Sequence, residues 1–591
     1  MLIRIHRFIR RHASVCALLS IACGIVAAPY LIPENPDSAV FRSGTLGLIL
    51  LLAAYTPLRQ AYSRANLRTL LYGLGLGLLF SFALGLGSEL FVYSGLLRGF
   101  GSMVRRMAVP VLAAPLIGGL FARVMLVRRP FDQPRTLHLP LWGYMLILLA
   151  CWTPLLLANF PAAINYDFIP EHWQYLDGIY SKRHPLLYLM VNNGIIMLGG
   201  KIYSQTFGLF LSTLAHMIPF AAALAYALCF LQKRRVPAFA LAALTAFFSL
   251  HPIFSLMSIS TSKDTVFTAA LLVLSLLSFD MLENPEAFFS RKKRAVLFVL
   301  MSVFTFHMRK NGVFAFVLLF PLLLAALRGW RRQTAVLLGA SLLASLAVSM
   351  GMNLCLTTVE QPSTQLYSLP AQQLVRAYHS GKMTPEDMAE LESFYTEPKY
   401  GLALYPNLAD GAKGYLDIEK LNADPGAYLD LYLRVGKTCA HEYIEAALLL
   451  NIGSWYPDDL SHATVYQPSG LMVGYQETGR FTMYDYDINS YSFLPGIREF
   501  LERLVTQNRY QRYPLLPVLF CTAIPLWVML FACTLLFARR HSRLAVSAAG
   551  MMGVWLSYQF GPCTIARYIL PLFAFSPVLL LCAFCLPSKE D

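Results

Sequence analysis

Charged residues are scarce in this sequence. Only 14% of its 591 residues are Asp, Glu, Lys or Arg, whereas 57% are hydrophobic. Average globular domains carry about 25% charged residues, so this balance excludes an ordinary soluble enzyme and a disordered nucleic-acid-binding tail. Several apolar runs are long enough to cross a bilayer, and they predict a multi-pass helical membrane protein.

Short motifs for nucleotides and metals are also missing. The sequence has no P-loop, no glycine motif that opens a helix after a strand, no H-E-x-x-H and no Cys/His cluster with zinc spacing. We therefore do not expect ATP-driven transport by this chain alone. Most of the 11 cysteines lie in apolar stretches, where Cys behaves as a small hydrophobe. Only Cys355 and Cys439 fall in a long polar region, and spacing alone does not predict a disulfide between them.

Hydropathy predicts about fourteen membrane spans. The predicted spans are 13–32, 42–58, 69–94, 107–126, 138–160, 206–231, 236–257, 265–282, 295–307, 312–328, 334–354, 515–538, 544–560 and 565–586. We interpret the first span as a retained helix and not as a cleaved signal peptide. The net charge of +15 marks basic loops on the side of the N-terminus, which is the positive-inside pattern. We therefore expect no nucleic-acid partner, a location in the cytoplasmic membrane and cytoplasmic termini.

The chain divides into four predicted parts. A transmembrane extension covers 1–137, a transmembrane core covers 138–354, a polar extracytoplasmic domain covers 355–514, and further spans cover 515–591. The extracytoplasmic domain is expected to be mainly helical, because it contains a segment with a proline at the first helical position and acids in the first turn. The predicted fold is therefore an all-α polytopic membrane protein with one external domain.

The external loop 160–205 holds the first candidate site. Asp167 closely follows a predicted span, so its carboxylate should lie at the membrane face, where a partly desolvated acid can act as a general base. Glu171 and His184 follow it. The apolar segment Pro185–Gly200 carries adjacent asparagines that are costly in lipid, so we expect a helix on the external membrane surface. The alternative is that the charged residues are ordinary solvated loop residues.

Three cations lie at the predicted outer face. Lys263 and Asp264 lie between two spans, Arg309 follows a short span, and Arg567 enters the last span from outside. Cations at these positions suit the binding of a lipid phosphate, with Asp264 as an orienting group or metal ligand. The alternative is that they only extend from apolar spans to water. Nearby hydroxyl donors are Ser260, Thr261 and Ser262.

This pattern resembles the GT-C class of glycosyltransferases, which includes protein O-mannosyltransferases and aminoarabinose transferases. In those enzymes an acid lies in the first external loop of the core, a His-Pro or Pro-Pro-Leu segment opens a surface helix, and the next span ends in a basic cytoplasmic turn. The matching positions here are Asp167, His184-Pro185-Leu186 and Lys233-Arg234-Arg235. The tandem acidic pair of the mannosyltransferases is absent, because Phe168 follows Asp167.

The chain is also similar to a family of bacterial multi-pass membrane proteins that stands near the GT-C enzymes. This resemblance covers roughly residues 140–580 and rests on short motifs. The motifs are Asp167…Gln174…Gly178…His184-Pro185, Thr261…Lys263-Asp264, Arg309…Asn311-Gly312, and the segments 368–378 and 443–457.

The resemblance implies transfer of a sugar from a polyprenyl-phosphate donor to an extracytoplasmic hydroxyl of a glycan, lipid or protein of the cell envelope. Direct displacement would invert the anomeric centre. The implied residues are the base Asp167, the donor-phosphate ligands Lys263, Arg309 and Arg567, and the supporting or acceptor-binding residues Glu171, His184 and Asp264.

Other functions and a cofactor remain open at this level. A divalent metal that bridges an acid and the phosphate fits the chemistry, although no residue cluster requires one. A transporter or flippase for a lipid-linked saccharide would use the same cations without a base, and its charges should lie at mid-membrane. A glycan polymerase or ligase also catalyses glycosyl transfer, and the sequence does not distinguish it from the glycosyltransferase described above.

Overall fold

The computed structural model describes most of the chain. The described residues are 1–31, 49–50, 52–127, 138–165, 167–182, 184–359, 364–457, 479–483, 486–506, 509–512 and 516–587. Most of them are helical, so the predicted all-α class is confirmed.

The N-terminal helices form a small bundle of their own. These helices are α1 (Leu2–Arg11), α2 (Ala13–Leu31), α3 (Tyr55–Arg64), α4 (Leu67–Tyr93) and α5 (Phe100–Met125). Helices α4 and α5 approach closely because small residues face each other, and a Cβ atom on Gly77 would overlap the backbone of Gly118. Small residues are a common device for packing helices where no hydrophobic effect drives them together.

The central part of the chain forms the main core. Its helices are α6 (Leu141–Ala158), α7 (Phe168–Asp177), α8 (Leu186–Ile202), α9 (Gln205–Lys233), α10 (Ala238–Leu250), α11 (Pro252–Ser258), α12 (Lys263–Glu283), α13 (Pro285–Phe289), α14 (Lys292–Met308), α15 (Gly312–Ala326) and α16 (Arg331–Cys355). Nearly all of α12 is buried by its neighbours. The surrounding protein therefore fixes the position of α12 and of the side chains at its N-terminus.

Residues 364–457, which follow α16 in the described chain, form seven short α-helices. They are α17 (Ser368–Tyr378), α18 (Pro385–Glu392), α19 (Pro398–Gly401), α20 (Asp410–Gly414), α21 (Ile418–Ala423), α22 (Pro425–Thr438) and α23 (Ala440–Leu450). They share a separate core around Leu374, Leu391 and Leu431. Cys439 is buried in this core, whereas Cys355 is exposed, and both are free thiols.

The C-terminal helices complete the main core. They are α24 (Pro495–Leu501), α25 (Leu516–Phe520), α26 (Ile524–Ala538), α27 (Ala549–Tyr558) and α28 (Ala566–Cys585). Short 3₁₀ helices cover Arg328–Trp330, Thr364–Tyr367, Ile452–Ser454, Arg509–Arg512 and Ser542–Ala548, and a π-helix covers Glu502–Thr506. The last helix, α28, packs against α12, α26 and α27.

Among the described residues, four short strands form two small sheets. They are β1 (Tyr180–Ser181), β2 (Thr358–Val359), β3 (Gly479–Met483) and β4 (Tyr486–Ser490). Strand β1 pairs parallel with β2, with Tyr180 opposite Thr358, and β3 pairs antiparallel with β4. The first pair joins the loop before α8 to the start of the polar region, so these two regions lie at the same end of the bundle.

Eight helical segments of the described chain are long and apolar enough to cross a membrane. They are α2, α4, α5, α6, α9, α12, the segment Arg328–Cys355 and α28. The pair α10 and α11, bent by 51° at His251, counts as a ninth if it is one broken span. These segments confirm a multi-pass membrane protein.

The predicted count of about fourteen spans is not confirmed. The predicted spans 295–307, 312–328, 515–538 and 544–560 correspond to helices α14, α15, α26 and α27, which have 17, 15, 15 and 10 residues. A hydropathy window sums apolar residues across a helix end, whereas a helix stops where its backbone hydrogen bonds stop. The predicted span 42–58 lies partly outside the described residues.

Helix α8 corresponds to the predicted surface helix, and the side-chain oxygens of its two asparagines bond to protein. Ser212 donates to Asn192 Oδ1 at 2.5 Å, and the ring of His172 lies 2.7 Å from Asn193 Oδ1. Helix α8 packs against the first half of α9, whose 29 residues span about 43 Å. Helix α9 is thus longer than the hydrocarbon layer of about 30 Å, which leaves room for its first turns and α8 outside the lipid.

Candidate active site

Segments that are far apart in the chain meet around the N-terminus of α12. Backbone hydrogen bonds hold the loop before α7 against the residues before α12. Ala163 N donates to Ile259 O at 2.9 Å, and Thr261 N donates to Ala163 O at 3.2 Å. Asn165 N also donates to Thr261 Oγ1 at 2.9 Å. These bonds place the loop that carries Asp167 directly beside α12.

Lys263 is the first residue of α12 and binds two carboxylates. Its Nζ atom lies 2.6 Å from Glu171 Oε1 and 3.3 Å from Asp167 Oδ2. The side chain of Glu171 is 2% exposed, that of Lys263 is 12% exposed and that of Asp167 is 27% exposed. Asp167, the predicted base, is therefore the most accessible of the three groups.

Arg567 approaches the same carboxylate from the N-terminal end of α28. Its Nη1 atom donates to Asp167 Oδ2 at 2.9 Å and to Asn165 Oδ1 at 3.2 Å. It also lies 3.7 Å from Asp264 Oδ2. The side chain of Arg567 is only 4% exposed, and an arginine buried in a membrane protein needs such partners. Asp167 is thus held by two cations from separate parts of the chain.

Arg309 is joined to the group through Asp264. The two side chains form an ion pair, and Ser262 Oγ donates to Asp264 Oδ2 at 2.9 Å. The guanidinium of Arg309 lies 4.4 Å from the ring centroid of Tyr568 and 5.1 Å from that of Tyr558. The rings and the carboxylate therefore fix the position of this cation.

His184 completes the group. Its Nδ1 atom lies 3.0 Å from Glu171 Oε1, the same oxygen that accepts from Lys263. The structure thus brings all seven predicted site residues into one connected network. They are Asp167, Glu171, His184, Lys263, Asp264, Arg309 and Arg567.

The network is balanced in charge, with three carboxylates facing three Lys and Arg side chains. Burial acts to raise the pKa of Asp167, but the charges of Lys263 and Arg567 outweigh it and hold this pKa well below its usual range. Burial is outweighed in the same way at Glu171, where Lys263 and His184 lower the pKa of the carboxyl. Both carboxyls are therefore ionised at neutral pH in this state.

A family model described as "Family of unknown function (DUF6020)" matches residues 168–590, which is more than half of the chain. The chain belongs to the DUF6020 family. No curated protein and no solved structure matches it. The DUF6020 match begins directly after Asp167 and contains the other six network residues. The N-terminal bundle, α1 to α5, and the first core helix, α6, lie before the DUF6020 region.

Two of the hydroxyls predicted as ligand donors have internal roles in this DUF6020 protein. Thr261 Oγ1 accepts from the backbone of Asn165, and Ser262 accepts from Asp264 N as the N-cap of α12 while its hydroxyl donates to Asp264. They shape the loop and the start of the helix, which is the usual role of Ser and Thr at such positions. Asp264 itself faces arginines, so the structure gives no support to its reading as a metal ligand.

Other residues of the site were not predicted. Asn165 accepts from Arg567, Tyr188 Oη donates to Thr261 O at 2.7 Å, and Tyr558 and Tyr568 frame Arg309. Tyr568 directly follows Arg567 in the sequence, which is the only signal available for it. The other contacts depend on chain packing and leave no local pattern.

The described residues offer no group of three or more His, Cys, Asp and Glu side chains that could hold a metal ion. The carboxylates of the network point at Lys263, Arg309 and Arg567 instead. Within the network of this DUF6020 protein, the groups that could bind an anion are therefore the side chains of these three cations.

Proposed function

We propose that the protein is a membrane glycosyltransferase that moves a sugar from a polyprenyl-phosphate donor to an extracytoplasmic acceptor hydroxyl. One observation carries the proposal. A partly exposed carboxylate, Asp167, lies within hydrogen-bond distance of two cations, Lys263 and Arg567, that lie in the first turns of two buried helices. A base beside two phosphate-binding groups is what transfer from a sugar phosphate needs.

The chemical step is a direct displacement. The acceptor oxygen attacks the anomeric carbon, the bond from that carbon to the phosphate oxygen breaks, and its electron pair leaves with the phosphate. Asp167 takes the proton of the acceptor hydroxyl. The nucleophile and the leaving group lie on opposite faces of the sugar, so the configuration at the anomeric carbon is inverted.

The leaving phosphate gains negative charge as the bond breaks. Lys263 and Arg567 stabilise this charge, and Arg309 lies beside them through Asp264. The N-termini of α12 and α28 add a favourable field for an anion. Groups that bind the developing charge more strongly than the ground state lower the barrier.

In this proposal, the ion pairs of Asp167 with Lys263 and Arg567 belong to the state before the donor binds. Asp167 is too acidic to be an effective base while Lys263 and Arg567 hold it. A donor phosphate competes for the same two cations. Its binding weakens their hold on Asp167, so the pKa of the carboxyl rises towards its usual range when the donor is present. Glu171 and His184 keep Lys263 in position, and Asp264 does the same for the arginines.

The proposal places the chain in the cytoplasmic membrane of a bacterium, with both termini cytoplasmic. The GT-C-like core is 138–354, and the loop 160–205 and the domain 355–514 face outwards. Two contacts support a common side for the loop and the domain. Strand β1 of the loop pairs with β2 of the domain, and Tyr491 N in the domain donates to Phe160 O at the start of the loop at 3.1 Å.

The test compares the cell-envelope glycans of a bacterial strain that lacks this protein with those of the parent strain by mass spectrometry. We expect a missing sugar and an accumulated lipid-linked donor. The wild-type chain and Asp177→Asn should restore the sugar, because Asp177 is an exposed residue at the end of α7. Asp167→Asn should not restore it, although it should accumulate in the membrane at the same level.

The outcomes separate the candidate functions. If Asp167→Asn restores the sugar fully, Asp167 is not the general base, and the proposed enzyme mechanism is rejected. A flippase needs the cations but no base, so restoration by Asp167→Asn together with failure of Lys263→Gln would favour transport. An unchanged glycan and donor profile in the deletion strain rejects both.

A further inference from the structure

The first helix, α1, carries most of its apolar side chains on the face opposite its arginines, and only Ile3 lies among the basic residues. At 3.6 residues per turn, one face carries Leu2, Ile5, Phe8 and Ile9. The opposite face carries Arg4, Arg7, Arg10 and Arg11. No Asp or Glu occurs in residues 1–31, so no acid near α1 in the sequence compensates these charges. A strongly basic helix with an apolar face is typical of segments that lie in a membrane interface.

The described residues leave the apolar face of α1 largely exposed. Leu2, Ile5 and Phe8 are 52%, 45% and 62% exposed, whereas Ile9 packs partly against the N-terminal bundle. Although the ring of Phe8 contacts that of His12, with centroids 4.5 Å apart, all three large apolar side chains remain about half exposed or more.

Contacts with α3 fix the position of α1. His6 Nε2 lies 3.0 Å from Ala65 O, and Arg10 Nε donates to Ser63 O at 3.1 Å. Only His12 separates α1 from α2, which is apolar enough to cross a membrane. Since α2 enters the lipid within one residue of α1, the exposed apolar face lies at the height of the bilayer surface.

We propose that α1 is an interfacial helix that binds the head groups of anionic phospholipids. Leu2, Ile5 and Phe8 enter the boundary between head groups and acyl chains, and Arg4, Arg7 and Arg11 face the lipid phosphates. The bilayer is the occupant because α2 brings it to this face and because its anionic lipids match the charge. Each basic residue near such a surface strengthens binding by on the order of fivefold.

The test measures hydrogen exchange of the full-length protein in nanodiscs of phosphatidylcholine alone and of phosphatidylcholine with phosphatidylglycerol. We expect residues 2–11 to exchange more slowly in the anionic nanodiscs, and added salt should reduce the difference. The triple variant Arg4→Gln, Arg7→Gln and Arg11→Gln should lose the difference. Phe8→Ser should exchange faster in both nanodiscs, because it removes an apolar anchor.

A second basic cluster provides the control. Arg291, Lys292 and Lys293 are exposed near the start of α14, and their replacement by Gln should leave the exchange of residues 2–11 unchanged. Equal exchange of residues 2–11 in the two nanodiscs overturns the lipid preference. If Phe8→Ser does not change the exchange of residues 2–11 in either nanodisc, the apolar face lies outside the lipid. That result would favour a protein partner for this face.

Discussion

Lys263 lies between two carboxylates, so its removal affects stability and chemistry by different routes. In Lys263→Met, Glu171 keeps its charge at 2% exposure without its cation, which costs roughly 3–5 kcal/mol of unfolding free energy. The double variant Lys263→Met with Glu171→Gln removes that charge and should recover most of the thermal stability. Neither variant should use the donor efficiently, with transfer slowed by on the order of 10²–10³.

Thermal unfolding and initial transfer rates in detergent separate the two effects. Lys201→Met changes an exposed lysine at the end of α8 and should match the wild type in both measurements. If the double variant regains activity together with stability, Lys263 has only a structural role.

The lowered pKa of Glu171 makes stability depend on pH. Its folded pKa is below the usual value of about 4.3, so the unfolded state binds more protons in acid. The stabilisation is complete above the usual value and is lost as pH falls from that value through the lower pKa of the folded state. The melting temperature of the wild type should therefore fall more steeply between about pH 5 and pH 3 than that of Glu171→Gln.

The measurement is a series of melting curves at constant ionic strength. Glu386 is an exposed acid of α18, and Glu386→Gln should keep the slope of the wild type. A slope for Glu171→Gln equal to that of the wild type would show that this carboxyl does not gain its stabilisation from the network.

The residues found from sequence are those that break a pattern. Lys263, Asp264 and Arg567 are charges at the edges of apolar runs, where burying them is costly, so their positions alone mark them. Asn165 is an ordinary loop residue and Tyr558 an ordinary aromatic residue of a helix. They gain a role only when packing places them beside Arg567 and Arg309.

At the scale of elements, the close packing of α8 on α9 positions one wall of the site. Gly208 faces the backbone of α8, and a Cβ atom there would overlap the carbonyl oxygen of Ile196. Helix α8 also carries Tyr188, which bonds to the residue before the N-cap of α12. Gly208→Ala should push α8 away, lower the melting temperature and reduce transfer.

Gly194→Ala is the matched variant on α8. Its Cβ atom would have Tyr175 Oη as nearest neighbour, at 4.0 Å, so it gains helix propensity of about 1 kcal/mol relative to Gly without a clash. It should be neutral or stabilising and fully active. Equal melting temperatures for Gly208→Ala and Gly194→Ala would contradict the close packing.

Spans with uninterrupted apolar sequence were predicted close to their observed bounds. The predicted span 206–231 corresponds to α9, Gln205–Lys233, and the predicted span 265–282 to α12, Lys263–Glu283. The region 236–257 is instead a bent pair, because Pro252 cannot continue the helix of α10. A proline alone does not predict such a bend, since α9 continues through Pro219.

At the scale of the whole molecule, the helical region 364–457 is tied to the bundle at several places. On one side, Ala409 N and Asn451 Nδ2 donate to the carbonyl oxygens of Pro562 and Gln559, both at 2.8 Å, shortly before α28. These contacts bring the region close to Arg567. The sequence predicts that this region is polar and helical. It does not predict these contacts, because they join residues that are far apart in the chain.

On the other side, Glu445 ties the region to the turn between α4 and α5. Its Oε1 atom accepts from Leu96 N at 2.7 Å, and its Oε2 atom accepts from Arg376 Nε at 2.8 Å. Glu445→Ala leaves Arg376, only 10% exposed, without its carboxylate, and breaking such a pair costs about 3 kcal/mol. We therefore expect faster hydrogen exchange in residues 94–98 and 440–450, and a lower melting temperature.

The same variant tests whether the region has to be fixed to both sides for transfer to occur. Glu419 is an exposed acid of α21, so Glu419→Ala should exchange and melt like the wild type. Glu445→Ala keeps the contacts near α28, so transfer should fall by less than in Asp167→Asn. A loss of transfer as large as that of Asp167→Asn, with unchanged exchange in residues 94–98, would contradict a purely positional role for Glu445 and would place it in the acceptor path.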